Sequence, residues 1–272
     1  MSVLIQIQET VQYIRQLYPE KPQVGIILGS GLGNFSKEIS VDFEIPYKDI
    51  PHFPVSTVKG HQGRLVFGKM AGRNIVAMAG RFHFYEGYDV NSIVFPIRVM
   101  KFLGIELLML SNAAGGVNPS FQVGDLMIIR DHISFATPNP LVGPNIDELG
   151  QRFPDMSEPY RKSTIKIARQ VAKDENIAVH EGVYFAVTGP TFETRAEYQM
   201  IRHMGGDAVG MSTVQECIAA NHMRLPVFAM SVITDMGIRE DENVITHEEV
   251  LEAASKAEPK LTAIFRGIIA KL

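Results

Sequence analysis

The chain has 272 residues, 46% of them hydrophobic and 21% charged, which supplies a large core and excludes a wholly disordered protein. Its formal net charge of −4 argues against a nucleic-acid-binding surface, because such surfaces are usually basic. With Cys217 as the single cysteine, the chain can form neither an internal disulfide nor a multi-cysteine metal site. No apolar run is long enough to span a membrane, and we expect a reducing, cytoplasmic location.

Apolar runs alternate with segments of helical periodicity along the sequence. The predicted strands are Val24–Leu28, Leu65–Phe67, Ile75–Ala79, Leu107–Leu110, Leu126–Ile129, Val183–Val187 and Val227–Ile233. The predicted helices are residues 2–18, 91–103, 158–175, 194–204, 213–223 and 247–271, the last with a capping box of Thr246 and Glu249. This alternation predicts an α/β fold. We expect a single domain over residues 1–272, with a mixed, largely parallel central β-sheet flanked by helices.

The first predicted strand runs into a glycine-rich loop, Gly29–Gly33, with Ser30 inside it. Glycines let the backbone approach a ligand closely, and the amides of such a loop can bind an anion. The dinucleotide fingerprint is broken, because Asn34 stands where its third glycine should be, and no Gly-Lys-Ser/Thr follows for a P-loop. A tight turn without a ligand explains this loop equally well.

Two segments further along combine cationic and imidazole side chains with glycines. His61 lies in KGHQGR, and residues 80–88 read GRFHFYEGY. In an extended segment Arg81, His83 and Tyr85 would point to one side, where they could meet an anion beside a polyhydroxylated ring. The alternative is a solvated strand face, but Arg and His in apolar surroundings usually need a partner.

Small or polar residues follow three later strands. Ala113 lies in a run of small residues after a buried strand, a place typical of a ligand crevice. Ser212 precedes a predicted helix, where it either caps the helix or contributes to a phosphate site. Phe192 could stack on a flat ring and Glu193 could accept hydrogen bonds from ring N–H groups, although a helix-capping turn is a rival interpretation. Residues 134–156 form a long irregular segment, which usually indicates function or an interaction surface.

Taken together, these segments form ten motifs in one order: GSGLG, STVKGHQGRLVFG, GRFHFYEGY, FPIRVM, NAAGG, GDLMIIRDHI, RFPDMS, GPTFET, DAVGMSTV and THEEVL. This order strongly resembles the homotrimeric purine nucleoside phosphorylases, which share a family with the methylthioadenosine phosphorylases. The resemblance covers nearly the whole chain, from about residue 24 to about residue 252. It implies phosphorolysis of purine ribo- and deoxyribonucleosides to a free base and a pentose 1-phosphate, by a homotrimer without metal or organic cofactor.

The resemblance also implies roles for individual residues. Phosphate, the co-substrate, would be held by Ser30, His61, Arg81, His83, the backbone N–H of Ala113 and Ser212, with the guanidinium fork of Arg81 on the phosphate. The nucleoside would be bound by Tyr85, Phe153, Phe192, Glu193, Val209, Met211, Asp235 and His247. Phe153 would come from the neighbouring subunit and close its sugar pocket. The expected catalytic residues are His83, Glu193 and Asp235.

Asp235 departs from the family pattern, which usually has Asn at this place to bond the base at O6 and N7. An ionised Asp can only accept hydrogen bonds, whereas a protonated one can donate to N7. An Asp at this position could also accept a hydrogen bond from a 6-amino group of the base. Methylthioadenosine phosphorylases have Asp here but lack the equivalent of Glu193, so this chain combines two patterns. We hypothesise activity on inosine and guanosine with a broadened tolerance for adenosine.

Other functions remain open from the sequence alone. They are a methylthioadenosine/adenosine-type phosphorylase, a nucleoside hydrolase in which water replaces phosphate, and a non-catalytic purine-binding protein. We expect surface or structural roles for the histidines outside the motifs, which are His52, His132, His180, His203 and His222.

Overall fold

The structure is a computed structural model that describes residues 2–29, 35, 38–55, 57, 62–238 and 246–272. The predicted phosphate ligands Ser30 and His61 lie outside the described residues.

The described helices and strands alternate along the chain, as the apolar pattern predicts. The helices are α1 (Val3–Leu17), α2 (Val90–Leu103), α3 (Lys162–Asp174), α4 (Arg195–His203), α5 (Val214–His222) and α6 (His247–Ala270). The strands are β1 (Val24–Ile27), β2 (Ser40–Pro46), β3 (Arg64–Met70), β4 (Arg73–Ala79), β5 (Leu107–Gly116), β6 (Leu126–Ile133), β7 (His180–Ala186), β8 (Ala208–Gly210) and β9 (Val227–Met236).

These strands form one nine-stranded sheet within the described residues, in the order β2-β3-β4-β1-β5-β8-β7-β6-β9. Strand β1 runs parallel to both β4 and β5, whereas β2, β3 and β4 pair antiparallel. Because β9 pairs with β5 as well as with β6, the strands from β5 to β9 close on themselves. The predicted α/β fold with a mixed sheet is therefore confirmed.

Strands β2 and β8 are absent from the predicted elements. Strand β2 is an edge strand with mostly exposed or half-buried residues, so it lacks the apolar run that marks the others. Strand β8 has three residues, too few for a periodic signal. Helix α3 begins at Lys162 rather than at residue 158, and the backbone carbonyl of Pro159 instead accepts a hydrogen bond from Asn221 at 3.0 Å.

Side-chain caps fix the helix starts that surround the sheet. Asp89 accepts hydrogen bonds from the backbone N–H groups of Asn91 and Ser92, which begins α2. The predicted capping box of Thr246 and Glu249 begins α6. Helix α5 buries almost every residue from Val214 to His222 between the sheet and α2. No described helix combines the length and the apolar composition that crossing a bilayer requires.

Candidate active site

A cavity of about 290 Å³ opens where β1, β4, β5, β7, β8 and β9 end or nearly end. In open α/β sheets, ligands bind in such crevices outside the carboxyl ends of the strands. Eleven of the predicted site residues line this cavity: Arg81, His83, Tyr85, Ala113, Phe192, Glu193, Val209, Met211, Ser212, Asp235 and His247. Segments far apart in sequence therefore meet in one site.

Arg81 lies at one end of the cavity and is held by a buried ion pair. We call this the phosphate end, after the role that the sequence resemblance implies for it. Its Nε and Nη2 donate to the two carboxylate oxygens of Glu216, at 3.0 and 2.6 Å. Both side chains are almost fully buried, with exposed fractions of 1% and 3%. Its Nη1 donates to the Ser111 carbonyl at 2.6 Å and to the Ser212 hydroxyl at 3.3 Å. The Nε–Nη2 edge of the guanidinium therefore faces Glu216, and the Nη1 edge faces Ser212.

His83 stands beside Arg81 and is oriented by Glu86. The Glu86 carboxylate lies 3.0 Å from Nδ1 of His83 and accepts from its backbone N–H at 2.8 Å. Burial lowers the pKa of His83, against the opposing effect of Glu86. Phe84–Glu86 form a 3₁₀ turn rather than the expected extended segment, so the rings of His83 and Tyr85 stack at 4.6 Å. The turn presents both rings to the cavity.

Ser212 lies just before α5, but it is not the N-cap of that helix. Thr213 takes this position with a φ of 74°, a strained value for a residue with a side chain. The Asn112 amide donates to the Thr213 hydroxyl at 2.8 Å. The capping interpretation of Ser212 is therefore wrong, and its hydroxyl instead lies between Arg81 and Thr213 at the cavity wall.

The other end of the cavity carries an aromatic ring and two carboxylates. We call it the base end, after the role that the sequence resemblance implies for it. Phe192 and Glu193 directly precede Thr194, which begins α4 in a capping box with Glu197. The helix start thus fixes the backbone of Phe192 and Glu193. Burial raises the pKa of Glu193, and the negative charge of Asp235 adds to this effect.

A β-bulge between β5 and β9 brings Asp235 into the cavity. Ala114 pairs with Ile233 but Gly115 pairs with Asp235, so Thr234 is the extra residue. In a regular strand, Thr234 and Asp235 would face opposite sides, whereas the bulge lets both line the cavity. The Thr234 hydroxyl contacts Asp235 Oδ1 at 3.2 Å.

Tyr198 of α4 reaches the base end, and its role is not evident from the sequence. Its hydroxyl donates to Asp235 Oδ2 at 3.4 Å and also interacts with Glu193. Gly115 makes room for this contact, since a Cβ there would lie 3.0 Å from Asp235 Oδ2 and 3.3 Å from the Tyr198 hydroxyl. Burial and the two carboxylates raise the pKa of Tyr198, so the hydroxyl keeps its proton.

Phe153 does not line the cavity of its own chain. It is 85% exposed and lies in the irregular segment between β6 and α3. The Arg152 guanidinium lies over its ring, 5.6 Å from the centroid, and donates to the Leu141 carbonyl at 2.8 Å. A large aromatic side chain is thus presented to the outside by an ordered loop.

Metal ligation finds no support within the described part of the chain, where no group of three His, Cys, Asp or Glu side chains could hold an ion. Glu193 and Asp235 instead interact with Tyr198.

The chain is similar to known proteins over almost its whole length. Residues 23–270 match the model of the phosphorylase superfamily. Purine nucleoside phosphorylase 1 of Geobacillus stearothermophilus is 51% identical over 263 residues, which covers 97% of this chain and 96% of that protein.

Solved structures of a Schistosoma mansoni protein are also similar. Schistosoma mansoni purine nucleoside phosphorylase in complex with adenosine has a TM-score of 0.95 and 41% identity, covering 100% of this chain and 99% of that one. The complex of the same enzyme with inosine also has a TM-score of 0.95 and 41% identity, covering 100% and 98% of the two chains.

Proposed function

Because the chain belongs to the phosphorylase superfamily, we propose that it catalyses the phosphorolysis of purine nucleosides. The products are the free purine base and ribose or deoxyribose 1-phosphate. The observation that carries the proposal is the cavity itself. It joins Arg81, His83 and Ser212 at one end to Phe192, Glu193 and Asp235 at the other.

In this reaction the protein must position the phosphate nucleophile and stabilise the negative charge that develops on the leaving base. A phosphate oxygen bonds to the anomeric carbon while the bond from that carbon to the purine nitrogen breaks, and the electron pair leaves with the base. His83, Ser212 and the backbone N–H of Ala113 hold the nucleophile below the sugar. Since the Arg81 fork is bound by Glu216, Arg81 contributes its Nη1 edge beside Ser212. Ser30 and His61 complete the phosphate site in this proposal.

The nucleoside lies across the rest of the cavity. Phe192 and Val209 enclose the base, Tyr85, Met211 and His247 surround the sugar, and Glu193 accepts from N1–H of a 6-oxopurine. Asp235 either donates to N7 when protonated or accepts from a 6-amino group when ionised. Because Asp235 can serve either base according to its protonation state, we propose inosine and guanosine as the main substrates, with a tolerance for adenosine. The Schistosoma mansoni relative has been solved with both inosine and adenosine.

The test is a nucleoside panel followed by ultraviolet absorbance, with and without inorganic phosphate. Inosine, guanosine, adenosine and methylthioadenosine are compared at saturating phosphate. We expect strictly phosphate-dependent cleavage, unchanged after treatment with a metal chelator. Cleavage without phosphate would indicate a hydrolase, and binding without turnover would indicate a purine-binding protein. A preference for methylthioadenosine over inosine would favour the adenosine-type alternative.

The active form in this proposal is a homotrimer in the cytoplasm, with Phe153 closing the sugar pocket of the neighbouring subunit. The exposed ring of Phe153 supports it, because the same irregular segment also exposes Phe135 and Val142, and a concentration of exposed apolar surface marks an interaction site. Phe153→Ala should raise the KM for inosine by roughly tenfold, the effect of losing one buried aromatic contact, with a smaller change in kcat.

Glu148→Ala is the control, since Glu148 is exposed on the same loop and lines neither this cavity nor any other pocket beneath the loop. It should leave the KM unchanged. Mixed trimers of Phe153→Ala chains and chains inactivated at His83 give a second check. The inactivated chains supply Phe153 to their neighbours, so mixing should restore the low KM in part. No restoration would place Phe153 outside the neighbouring site.

A further inference from the structure

A second cavity of about 220 Å³ lies beneath the loop from Pro140 to Leu149, and none of its lining residues borders the first. Arg98 of α2 and His222, the last residue of α5, line its inner wall. Asn91, two turns before Arg98, lies at its rim. The side chains in this cavity take no part in the proposed phosphorolysis.

Arg98 is a buried cation whose charge is balanced by no group among the described residues. It is 5% exposed, and no described residue forms a hydrogen bond or an ion pair with it. Burial lowers the pKa of Arg98, with no carboxylate to oppose the effect. Arg81, by contrast, is bound by both oxygens of Glu216. A buried guanidinium without a partner is costly, so its site is suited to an anion.

His222 brings a second nitrogen-bearing side chain to the same cavity. It is 4% exposed, and its ring lies near the backbone of Gly150 and Gln151 without a hydrogen bond of ordinary length and angle to either. The other four histidines expected to be structural do have partners, which are Glu9 for His52, Tyr160 for His132, Asp125 for His180 and the Gln199 carbonyl for His203. The ring of His222 is therefore placed differently from theirs.

The loop that roofs the cavity is held by its own polar contacts. The Asn145 amide donates to Asp147 at 2.7 Å and to the Gly150 carbonyl at 2.9 Å. A side chain at position 150 would collide with the His222 carbonyl, so the loop packs directly on the end of α5. These contacts keep the roof in place while leaving Arg98 and His222 facing the cavity.

We propose that this cavity is a second anion site, which binds a small oxyanion of the inorganic phosphate type between Arg98 and His222. The planar guanidinium fork matches two oxygens of such an ion, and the imidazole N–H supplies a third donor. A bound ion would link α2, α5 and the loop that also carries Phe153. It would thereby stabilise the segment proposed to reach the neighbouring subunit.

The test counts bound phosphate by equilibrium dialysis of the full-length protein against radiolabelled inorganic phosphate. Arg98→Gln should bind one phosphate per chain fewer than the wild type, whatever number remains at the first cavity. The result therefore does not depend on the proposed phosphorolysis. Unlabelled sulfate should displace the ion lost in Arg98→Gln, because the site recognises oxyanion shape and charge. Arg202→Gln, on the exposed face of α4, is the control and should bind as the wild type does.

Equal counts for wild type and Arg98→Gln would overturn the proposal, as would a carboxylate of a neighbouring copy that fills the cavity in the assembled protein. If Arg98→Gln does not fold, Arg98→Lys and His222→Phe replace it. Each should weaken the second phosphate at least tenfold, because each removes a donor from the site. Unchanged affinity in both variants would reject the site.

Discussion

The two ends of the first cavity differ in how their charged side chains are paired. At the phosphate end, the cation Arg81 is bound by Glu216, and His83 is oriented by Glu86. At the base end, Glu193 and Asp235 share one wall, with the Tyr198 hydroxyl rather than a cation between them. One end is already neutralised by the protein, whereas the other holds two carboxylates close together.

Because of this difference, one end is suited to positioning a nucleophile and the other to holding or releasing a proton. A matched ion pair gives a rigid wall, as is suitable for positioning a nucleophile. Two neighbouring carboxylates disfavour each other's ionised form, so one of them can hold or release a proton. A leaving purine needs such a group, because it departs with negative charge.

The largest expected effect is on stability, from Glu216→Gln at the phosphate end. The substitution removes the carboxylate charge with which Glu216 pairs the buried Arg81 guanidinium. Breaking a buried pair on one side typically costs about 3–5 kcal/mol. We therefore expect a loss of that order in the free energy of unfolding, measured by denaturant titration in phosphate-free buffer.

Glu181→Gln is the control for that measurement, since Glu181 pairs with Arg169 on the surface. Exposed pairs contribute less than about 1 kcal/mol, so this variant should unfold almost like the wild type. Equal losses in the two variants would mean that Glu216 is not what stabilises the Arg81 charge.

The next effect is on base preference, from Asp235→Asn at the base end. An asparagine donates to N7 without needing a proton, but it no longer offers a charged acceptor to a 6-amino group. A hydrogen bond to a charged group contributes about 1.5–3 kcal/mol, so the adenosine-to-inosine ratio of kcat/KM should fall by about tenfold or more. Initial rates with both nucleosides measure it. An unchanged ratio would reject the role of Asp235.

Glu193→Gln is expected to move the same ratio in the opposite direction. It removes the acceptor proposed for N1–H of inosine, a group that adenosine lacks, so inosine should lose more activity than adenosine. If both variants lowered the ratio, the assignment of the two carboxylates to different edges of the base would be wrong.

The sequence predicts most of the residues at both ends, because their motifs follow buried strands. Arg81 follows β4, Phe192 and Glu193 follow β7, and such positions meet at the carboxyl edge of the sheet. The fold class follows from the same alternation of apolar strands and helices. These inferences succeed because they depend on local patterns.

The partners of those residues could not be predicted, because they depend on long-range packing. Glu216 lies 135 residues after Arg81, inside a helix that reads as ordinary core. Tyr198 contributes its hydroxyl through a contact that requires the small Gly115. The bulge at Thr234 has no sequence signal, although it decides that Asp235 faces the cavity.

A third effect is the pH dependence of stability, which has opposite signs for Glu86 at the phosphate end and Glu193 at the base end. Burial would raise the pKa of Glu86, but hydrogen bonds from His83 and Thr57 outweigh this and lower it to about 2. Glu86 therefore contributes stability above its unfolded pKa, which is lost as the pH falls toward about 2. Glu193 has a raised pKa, so it lowers stability as the pH rises through its unfolded and then its folded pKa.

Unfolding of ligand-free protein between acidic and neutral pH separates the two cases. Relative to wild type, Glu86→Gln should lose stability near neutral pH and approach the wild type in acid. Glu193→Gln should gain stability near neutral pH and lose that advantage in acid. If the free energy of unfolding changed with pH in the same way in both variants, the pKa shifts of Glu86 and Glu193 would not have opposite signs.

The smallest expected effect comes from Tyr198→Phe, which removes one hydroxyl donor at a long 3.4 Å distance from Asp235. A hydrogen bond of this length is weak and contributes about 1 kcal/mol, so the adenosine-to-inosine ratio should change only a few-fold. If Tyr198 acts by positioning Asp235, its effect on the ratio should disappear in the Asp235→Asn background. A double-mutant cycle on kcat/KM measures this coupling. Additive effects would instead mean that Tyr198 acts through Glu193, and the proton at the base end would then belong to a different pair of side chains.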